Sequence, residues 1–308
     1  MSRLSLRVGS AALLFAGAAL GSLTDRIPAR GSLRAGEYLV LSGDFHVHAF
    51  PGDGALAPWV LRDEAARAGL DVIAVTNHNQ SLTGRLAEWV SRRGDGPLML
   101  AGQEITNPRY HMIAAGIDQA VNADQPAAGA IADVQAQGGV AIAAHPSRRF
   151  HGYDADATVA ALDGAEAAHS GVHWDDAFKS DLAAFFGRAR RVNANVAAIG
   201  SSDFHAMPPT LGRCRTYLFV TERTKAGVIE AIRSGRTLAV DGDGGLTGDP
   251  SLIRLFGDVR PDGRSDPHPE WRRFSIALTW FGALGLVILG GHGPHFWLRN
   301  KRVNPRVH

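Results

Sequence analysis

The sequence predicts an α/β fold built on a parallel sheet, and three observations predict it. Short apolar runs rich in β-branched residues recur along the chain. Stretches with helix-opening signals separate them. A histidine or carboxylate follows most of the runs, as where barrel enzymes build sites at the carboxyl ends of parallel strands.

The elements follow in order. Tyr38-Leu39-Val40-Leu41 reads as a buried strand that leads into Asp44-Phe45-His46-Val47-His48. His46 and His48 are two apart, so on a strand both rings point to one face. Gly52-Asp53-Gly54 then turns the chain and can return Asp53 over the same mouth. Pro58 opens a helix that runs to Ala68. The run Asp71 to Thr76 is a strand followed by Asn77-His78-Asn79, and Pro97 to Gln103 is another that ends in Glu104. Tyr110 to Gly116 carries His111. Pro126 opens the helix Ala127 to Gln137, ahead of the strand Gly139 to Ala144 and His145-Pro146. Gly164 to Ala168 leads to His169, and Val196 to Ile199 leads to Asp203-Phe204-His205. An amphipathic helix, Thr224 to Ser234, closes the series.

Nine of these groups are imidazoles or carboxylates: His46, His48, Asp53, His78, Glu104, His111, His145, Asp203 and His205. First-row divalent metals favour such ligands. Any one of them taken singly reads as a satisfied core or turn residue. Their recurrence after strands changes that, and nine exceed what one ion needs, so the set points to a multinuclear centre.

The ordered motifs resemble the polymerase and histidinol phosphatase (PHP) superfamily, and more narrowly its branch of stand-alone metallohydrolases of the carbaryl-hydrolase type. The resemblance rests on His46-Val47-His48 with Asp53-Gly54, Thr76-Asn77-His78-Asn79, Gly102-Gln103-Glu104, Ala144-His145-Pro146 and Gly200-Ser201-Ser202-Asp203-Phe204-His205. Leu211-Gly212-Arg213 and Val228 to Thr237 resemble the family's closing segment, so the match spans roughly residues 40 to 250. It implies a distorted (β/α)7 TIM-like barrel, over 38–250, with two or three divalent ions (manganese, iron or zinc). One ion would be held by His46, His48, Glu104 and Asp203. Glu104 would bridge to a second, held with His111 and His145, and Asp53, His78 and His205 would hold a third. Catalysis would fall to Glu104 as bridge, with Asp203 and His205 beside it, and the attacking group would be a water activated by the metals. Two departures stand out: Asn77 where the family commonly has Asp, and Ala49 where it has Thr.

The resemblance and the motifs together lead to a metal-dependent hydrolase, first a phosphoesterase acting on a small-molecule ester. A carbamate, amide or carboxylic ester hydrolase on the same site is the alternative, and a non-catalytic metal-binding surface module is the reading from another class. Arg148, three residues after His145, is the preferred group to fork onto phosphate. Arg213 and His169 are the other expected substrate contacts, while Arg109, Arg149 and Arg215 are weaker candidates. His151 and His173 read as surface residues.

The formal net charge of +2, with no basic stripe, gives no nucleic-acid signature. No protein partner is implied. The lone Cys214 excludes an internal disulfide and reads as a small hydrophobe. At the N-terminus Arg3 and Arg7 precede Val8 to Leu23, which carry no formal charge; residues 1–24 read as a signal peptide or a signal anchor. Residues 251–271 read as a linker, and 272–298 as a transmembrane helix, since Phe274 to Leu298 lacks Asp, Glu, Lys and Arg. The basic tail 299–308 favours a cytoplasmic end. The expected placement is therefore a membrane-anchored chain with its barrel outside the cytoplasm.

Overall fold

A computed structural model describes residues 3–24, 33–92, 96–170, 176–206, 210–257 and 269–290. The chain divides into two compact units, Ala29–Arg264 and a terminal unit of Met1–Pro28 with Ser265–His308.

The terminal unit holds two helices, α1 (Arg3–Thr24) and its partner near the C-terminus. The larger unit begins with a short edge strand, β1 (Leu33–Ala35), antiparallel to β2 (Tyr38–Val47). Then come α2 (Pro58–Arg67), β3 (Val72–Val75), α3 (Leu82–Ser91), β4 (Leu98–Asn107), β5 (Tyr110–Ala115), α4 (Ala127–Ala136) and β6 (Val140–Ala143). After a single 3-10 turn follow α5 (Asp156–Ala160), β7 (Gly164–His169), α6 (Asp176–Val192), β8 (Ala197–Ser201) and β9 (Arg215–Val220). The unit ends with α7 (Lys225–Arg233), β10 (Thr237–Val240), β11 (Leu246–Gly248) and α8 (Pro250–Phe256). The C-terminal partner of α1 is α9 (Pro269–Gly290).

The strands form one sheet in the order β11-β10-β9-β2-β3-β4-β5-β6-β7-β8. Its two halves, β2-β3-β4 and β6-β7-β8, are each parallel. Beyond Ser201 the chain returns to β2, where His48 N donates to Phe204 O at 2.9 Å, so the sheet curls into a nearly closed α/β barrel. The buried Asp44 carboxylate ties the seam, accepting from the backbone N–H of Ser202 at 3.1 Å and of Gly212 at 3.0 Å.

Side-chain alternation on the strands builds the layers. On β3, Val72 and Ala74 face an inner cluster with Leu41, Leu100, Ile142 and Ile199, onto which Val228 and Ile232 of α7 also pack. Ile73 and Val75 turn outward against Leu61 and Ala65 of α2 and Ala87 of α3. Pro58 sits at the start of α2, where its missing N–H costs nothing. The Thr224 hydroxyl caps α7 by accepting from Gly227 N at 3.0 Å.

Three expectations need correction. The sheet is not wholly parallel: β5 pairs antiparallel with both β4 and β6, because only the tight Asn107–Tyr110 turn joins β4 to β5 and leaves no room for a crossover helix. Residues 251–271 are not all linker. Asp249 caps α8, Pro250 opens it, and Phe256 is buried with Ala35, Tyr217 and Phe219. In the third, the C-terminal apolar stretch among the described residues runs only from Phe274 to Ile288, and the helix long and apolar enough to cross a membrane is Leu4–Gly21 in α1. Residues 291–308, which include the end of the expected span and the basic tail, lie outside the described residues, as does His173.

Candidate metal centre

The carboxyl end of β2 delivers the first two ligands. His46 and His48 share a face as their spacing requires, with ring centroids 5.2 Å apart, and both are fully buried. β4 brings Glu104 under them, and the turn after β8 brings Asp203. His46 Nε2 lies 3.2 Å from Glu104 Oε2 and 3.3 Å from Asp203 Oδ1. His48 Nε2 lies 3.2 Å from the same Asp203 oxygen and 3.5 Å from Glu104 Oε2.

The other oxygen of Glu104 faces a second group. Oε1 is 2.8 Å from His111 Nδ1 and 3.2 Å from His145 Nε2. The reversed direction of β5 explains the position of His111: it stands near the start of its strand, and an antiparallel strand starts at the mouth where its neighbours end. A third group gathers at the rim around Asp53 Oδ2, with His48 Nδ1 at 3.1 Å, His78 Nε2 at 3.4 Å and His205 Nε2 at 3.6 Å. A fourth set, the buried His46, His145 and His169, shares members with the first two.

Whether these residues suit a metal is tested by hydrogen bonding. Buried polar atoms in proteins are nearly always paired. Here His46 Nε2, His48 Nε2, Glu104 Oε2 and Asp203 Oδ1 converge, and none makes a properly aligned hydrogen bond. A cation among them would satisfy all four. Two imidazoles with two carboxylates is a donor set that zinc, manganese or iron accepts. The residues fit.

The electrostatics lean the same way. Burial alone would lower the pKa of His46, but the Asp203, Glu104 and Glu166 carboxylates raise it well above the usual histidine range. Against its own burial, Glu104 is held well below the carboxylate range by the His46 charge and by hydrogen bonds from His111 and His145. Asp203 is likewise lowered against burial by His46, His169 and His48. Asp53, against partial burial, is lowered to about 2 by its hydrogen bond with His48. A cluster of carboxylates that stays ionised in a dry pocket needs positive charge close by.

Backbone strain marks the same loops. Among the described residues, the non-glycine positions with positive φ are Asn79 at 50°, His145 at 28° and Asp203 at 51°. Each such position costs about 1–3 kcal/mol and persists only where its surroundings hold it. Asn79 is held by its side chain, which exchanges hydrogen bonds with the Thr106 backbone at 2.8 and 2.9 Å. The His145 backbone N–H donates to Glu166 Oε2 at 2.5 Å.

Glu166 is the group that sequence reasoning missed. Fully buried on β7, it also accepts from His46 Nδ1 at 3.0 Å through Oε1, so one carboxylate orients two candidate ligands. The available signal was a lone Glu three residues before His169 in an otherwise alanine-rich strand. Asn77 is the second surprise. Its amide donates to Ala49 O at 2.6 Å and accepts from Ala49 N at 3.0 Å, pinning the loop that carries Asp53. An aspartate could not donate, which gives the amide at this position a physical reason. Gly54 completes the turn, because a Cβ there would run into the His48 backbone.

The expected substrate contacts diverge. His169 is buried and its Nε2 lies 3.5 Å from Asp203 Oδ2, which puts it among the candidate ligands. Arg148 is 81% exposed and its Nε is taken by Asp181 Oδ1 at 2.5 Å. Arg213 lines a cavity of about 100 Å³ with His169, Lys179, Cys214, Asp241 and Asp243. Burial pushes the Cys214 thiol up to about 12, so it stays protonated. Arg215 braces the scaffold through Gly212 O and Ala68 O. Arg149 lies over the Phe150 ring, and His151 is exposed as expected.

Fold and site together define a class: a nearly closed α/β barrel with clustered histidines and carboxylates at its mouth. No family model and no curated protein matches the chain. Among solved structures it is similar to a two-domain protein from Bacteroides vulgatus containing a predicted PHP-like metal-dependent phosphoesterase. That similarity has 23% identity and a TM-score of 0.58, and covers 77% of each chain. It is also similar to an amidohydrolase from Chromobacterium violaceum with bound sulfate and no metal, at 21% identity and a TM-score of 0.42, over 55% of this chain and 89% of that one.

Proposed function

We propose that this chain is a metal-dependent hydrolase of the PHP superfamily, a phosphoesterase of small-molecule substrates, tethered to a membrane with its barrel outside the cytoplasm. The observation that carries the reading is the convergence of four buried ligand atoms without aligned hydrogen bonds, one of them an oxygen of Glu104, whose second oxygen faces His111 and His145. The likeness of the fold to the Bacteroides vulgatus protein supports it. His46, His48, Glu104 and Asp203 would hold one ion, Glu104, His111 and His145 a second, and Asp53, His78 and His205 a third. Divalent ions so held supply Lewis acidity toward an ester oxygen and acidify water.

The chain's own groups do the rest. Glu166 fixes the ring of His46 and the backbone of His145, so the ligand geometry is set before substrate arrives. Buried His46, His48 and Glu104 form a dry floor, while His205, with a side chain 37% exposed, stands at the mouth where a leaving group departs. His205 Nδ1 bonds to the Asp203 carbonyl at 3.0 Å, which leaves Nε2 to hold an ion at the rim or, where that position stands empty, to hold or move a proton.

The second reading is hydrolysis of a carbamate, amide or carboxylic ester, as in the carbaryl-hydrolase type. The engagement of Arg148 by Asp181, rather than by the clusters, favours it. One experiment separates these. The detergent-solubilised chain is loaded with manganese, iron or zinc, its bound metal is measured, and it is assayed on a phosphodiester, a phosphomonoester and an aryl carbamate. Metal-dependent turnover of a phosphoester is the expected result. Turnover of the carbamate alone selects the second reading, and a folded chain that binds metal without turnover selects a binding module.

A further inference from the structure

We infer that α1 is a retained membrane span and that α1 and α9 cross the bilayer as an antiparallel pair, with both chain ends on one side. The inference rests on the membrane-tethered reading above and adds to it a second span, a helix–helix interface and a topology.

The interface is made of small residues. A Cβ at Gly17 would lie 2.5 Å from Thr279 Oγ1, and one at Gly21 2.8 Å from Ser275 Oγ. Added Cβ atoms at Gly282 and Gly285 would strike Leu14 backbone and the Ser10 hydroxyl. These contacts pair early α1 with late α9 and late α1 with early α9, so the helices run antiparallel. A hydrogen bond crosses the pair: the buried Ser275 hydroxyl donates to Gly17 O at 2.7 Å. Close approach through small residues with a hydroxyl bridging the backbones is how helices associate where lipid removes any hydrophobic drive.

The outer surface is the inverse of a water-soluble helix pair. Leu4, Val8 and Phe15 of α1 are 71%, 61% and 73% exposed, and Trp280, Phe281 and Val287 of α9 are 71%, 69% and 70% exposed. Small and polar groups lie inside, large apolar ones outside. The occupant of that surface is the hydrocarbon of a bilayer: α1 carries an apolar stretch of 18 residues, Leu4–Gly21, long enough to cross it, and the apolar stretch of α9, Phe274–Ile288, is carried on in sequence to Leu298 without Asp, Glu, Lys or Arg. Removal of α1 would take away the acceptor of the Ser275 hydroxyl and leave the glycine face of α9 unfilled. Basic residues flank both ends of the pair in sequence, Arg3, Arg7, Arg299, Lys301, Arg302 and Arg306 at one and Arg26, Arg30, Arg34, Arg260, Arg264, Arg272 and Arg273 at the other, so the antiparallel packing is what puts both chain ends on one side.

The test uses the full chain with an epitope tag at each end, expressed in a bacterial host able to export it. One membrane-bound species bearing both tags is expected. Protease added to spheroplasts should digest the intervening chain and spare both ends. Loss of the first tag from a membrane-bound chain overturns the pair but leaves the single C-terminal tether standing. Tags on opposite faces of the membrane also overturn the pair alone. Both tags in the soluble fraction overturn the tether and the pair together. In a Cys214→Ser background, Gly17→Cys with Thr279→Cys should give an intramolecular disulfide on mild oxidation, and Phe15→Cys with Trp280→Cys should not. A membrane-bound chain with both tags and no disulfide in the first variant overturns the interface.

Discussion

The floor and the rim of the centre use the same residue types and differ in their access to water. His46, His48 and Glu104 are fully buried, whereas the side chains of Asp53, His78 and His205 are 33%, 40% and 37% exposed. At the floor, His46 Nε2, His48 Nε2, Glu104 Oε2 and Asp203 Oδ1 face each other with no aligned hydrogen bond. At the rim, His78 Nδ1 has the Thr106 hydroxyl at 2.8 Å, and water can reach the rest. A buried, uncompensated group is costly and an exposed one is not. A cation held at the floor would therefore relieve a larger cost than one at the rim, which can tolerate a vacant position.

Glu104→Gln should have the largest effect, because the one carboxylate faces two clusters. Activity is expected to fall by on the order of 10³-fold, with metal lost from both. Metal analysis beside kinetics checks it, and a variant that keeps all its metal would show that Glu104 is no bridge. Glu166→Gln should weaken metal affinity by about 10–100-fold without removing a ligand. If affinity holds while thermal stability drops, Glu166 is merely structural.

pH distinguishes floor from rim. Metal-free His46 has a raised pKa, so it carries a proton at neutral pH that must leave before Nε2 can ligate. Proton release on binding makes affinity rise with pH, by about tenfold per unit for one proton, until His46 is deprotonated in the free protein. Calorimetric titration in two buffers of different ionisation enthalpy measures the proton directly. An affinity independent of pH would contradict the protonated floor.

Asp53→Asn keeps an oxygen that can accept from His48 Nδ1, so it should spare the floor while lowering bound metal by about one ion per chain. Equal loss from every cluster would erase the distinction between the two regions. The smallest expected effect is that of Asn77→Asp. It removes the donor to Ala49 O and should destabilise the fold by about 1–3 kcal/mol, with metal content unchanged. Chemical denaturation of the two proteins reads it.

The strands and helices that lie near the site were legible in the chain, and so was the meeting of His46 with His48. Both follow from local rules: β-branched runs favour strands, Pro58 opens a helix, and a spacing of two keeps side chains on one face. The polar residue after each strand also announced itself, since it breaks an apolar run. What each residue meets was not legible, because it depends on partners far along the chain. Glu166 reads as one acid in an alanine-rich strand until β7 and β2 lie close enough for it to orient His46. Arg148 reads as a phosphate fork until α6 offers Asp181. The direction of β5, which puts His111 at the mouth, came from the shortness of one turn.

The sequence by itself determined the elements, the strand-end positions of the metal-seeking side chains and the apolar character of both terminal helices, since these depend on neighbours a few residues away. Only the tertiary structure decided which oxygen of Glu104 faces which cluster, why Asn77 serves where an aspartate could not, and that α1 packs on α9 through glycines. Those outcomes are set by contacts between segments distant in sequence, where distance and burial decide whether a polar atom has a partner.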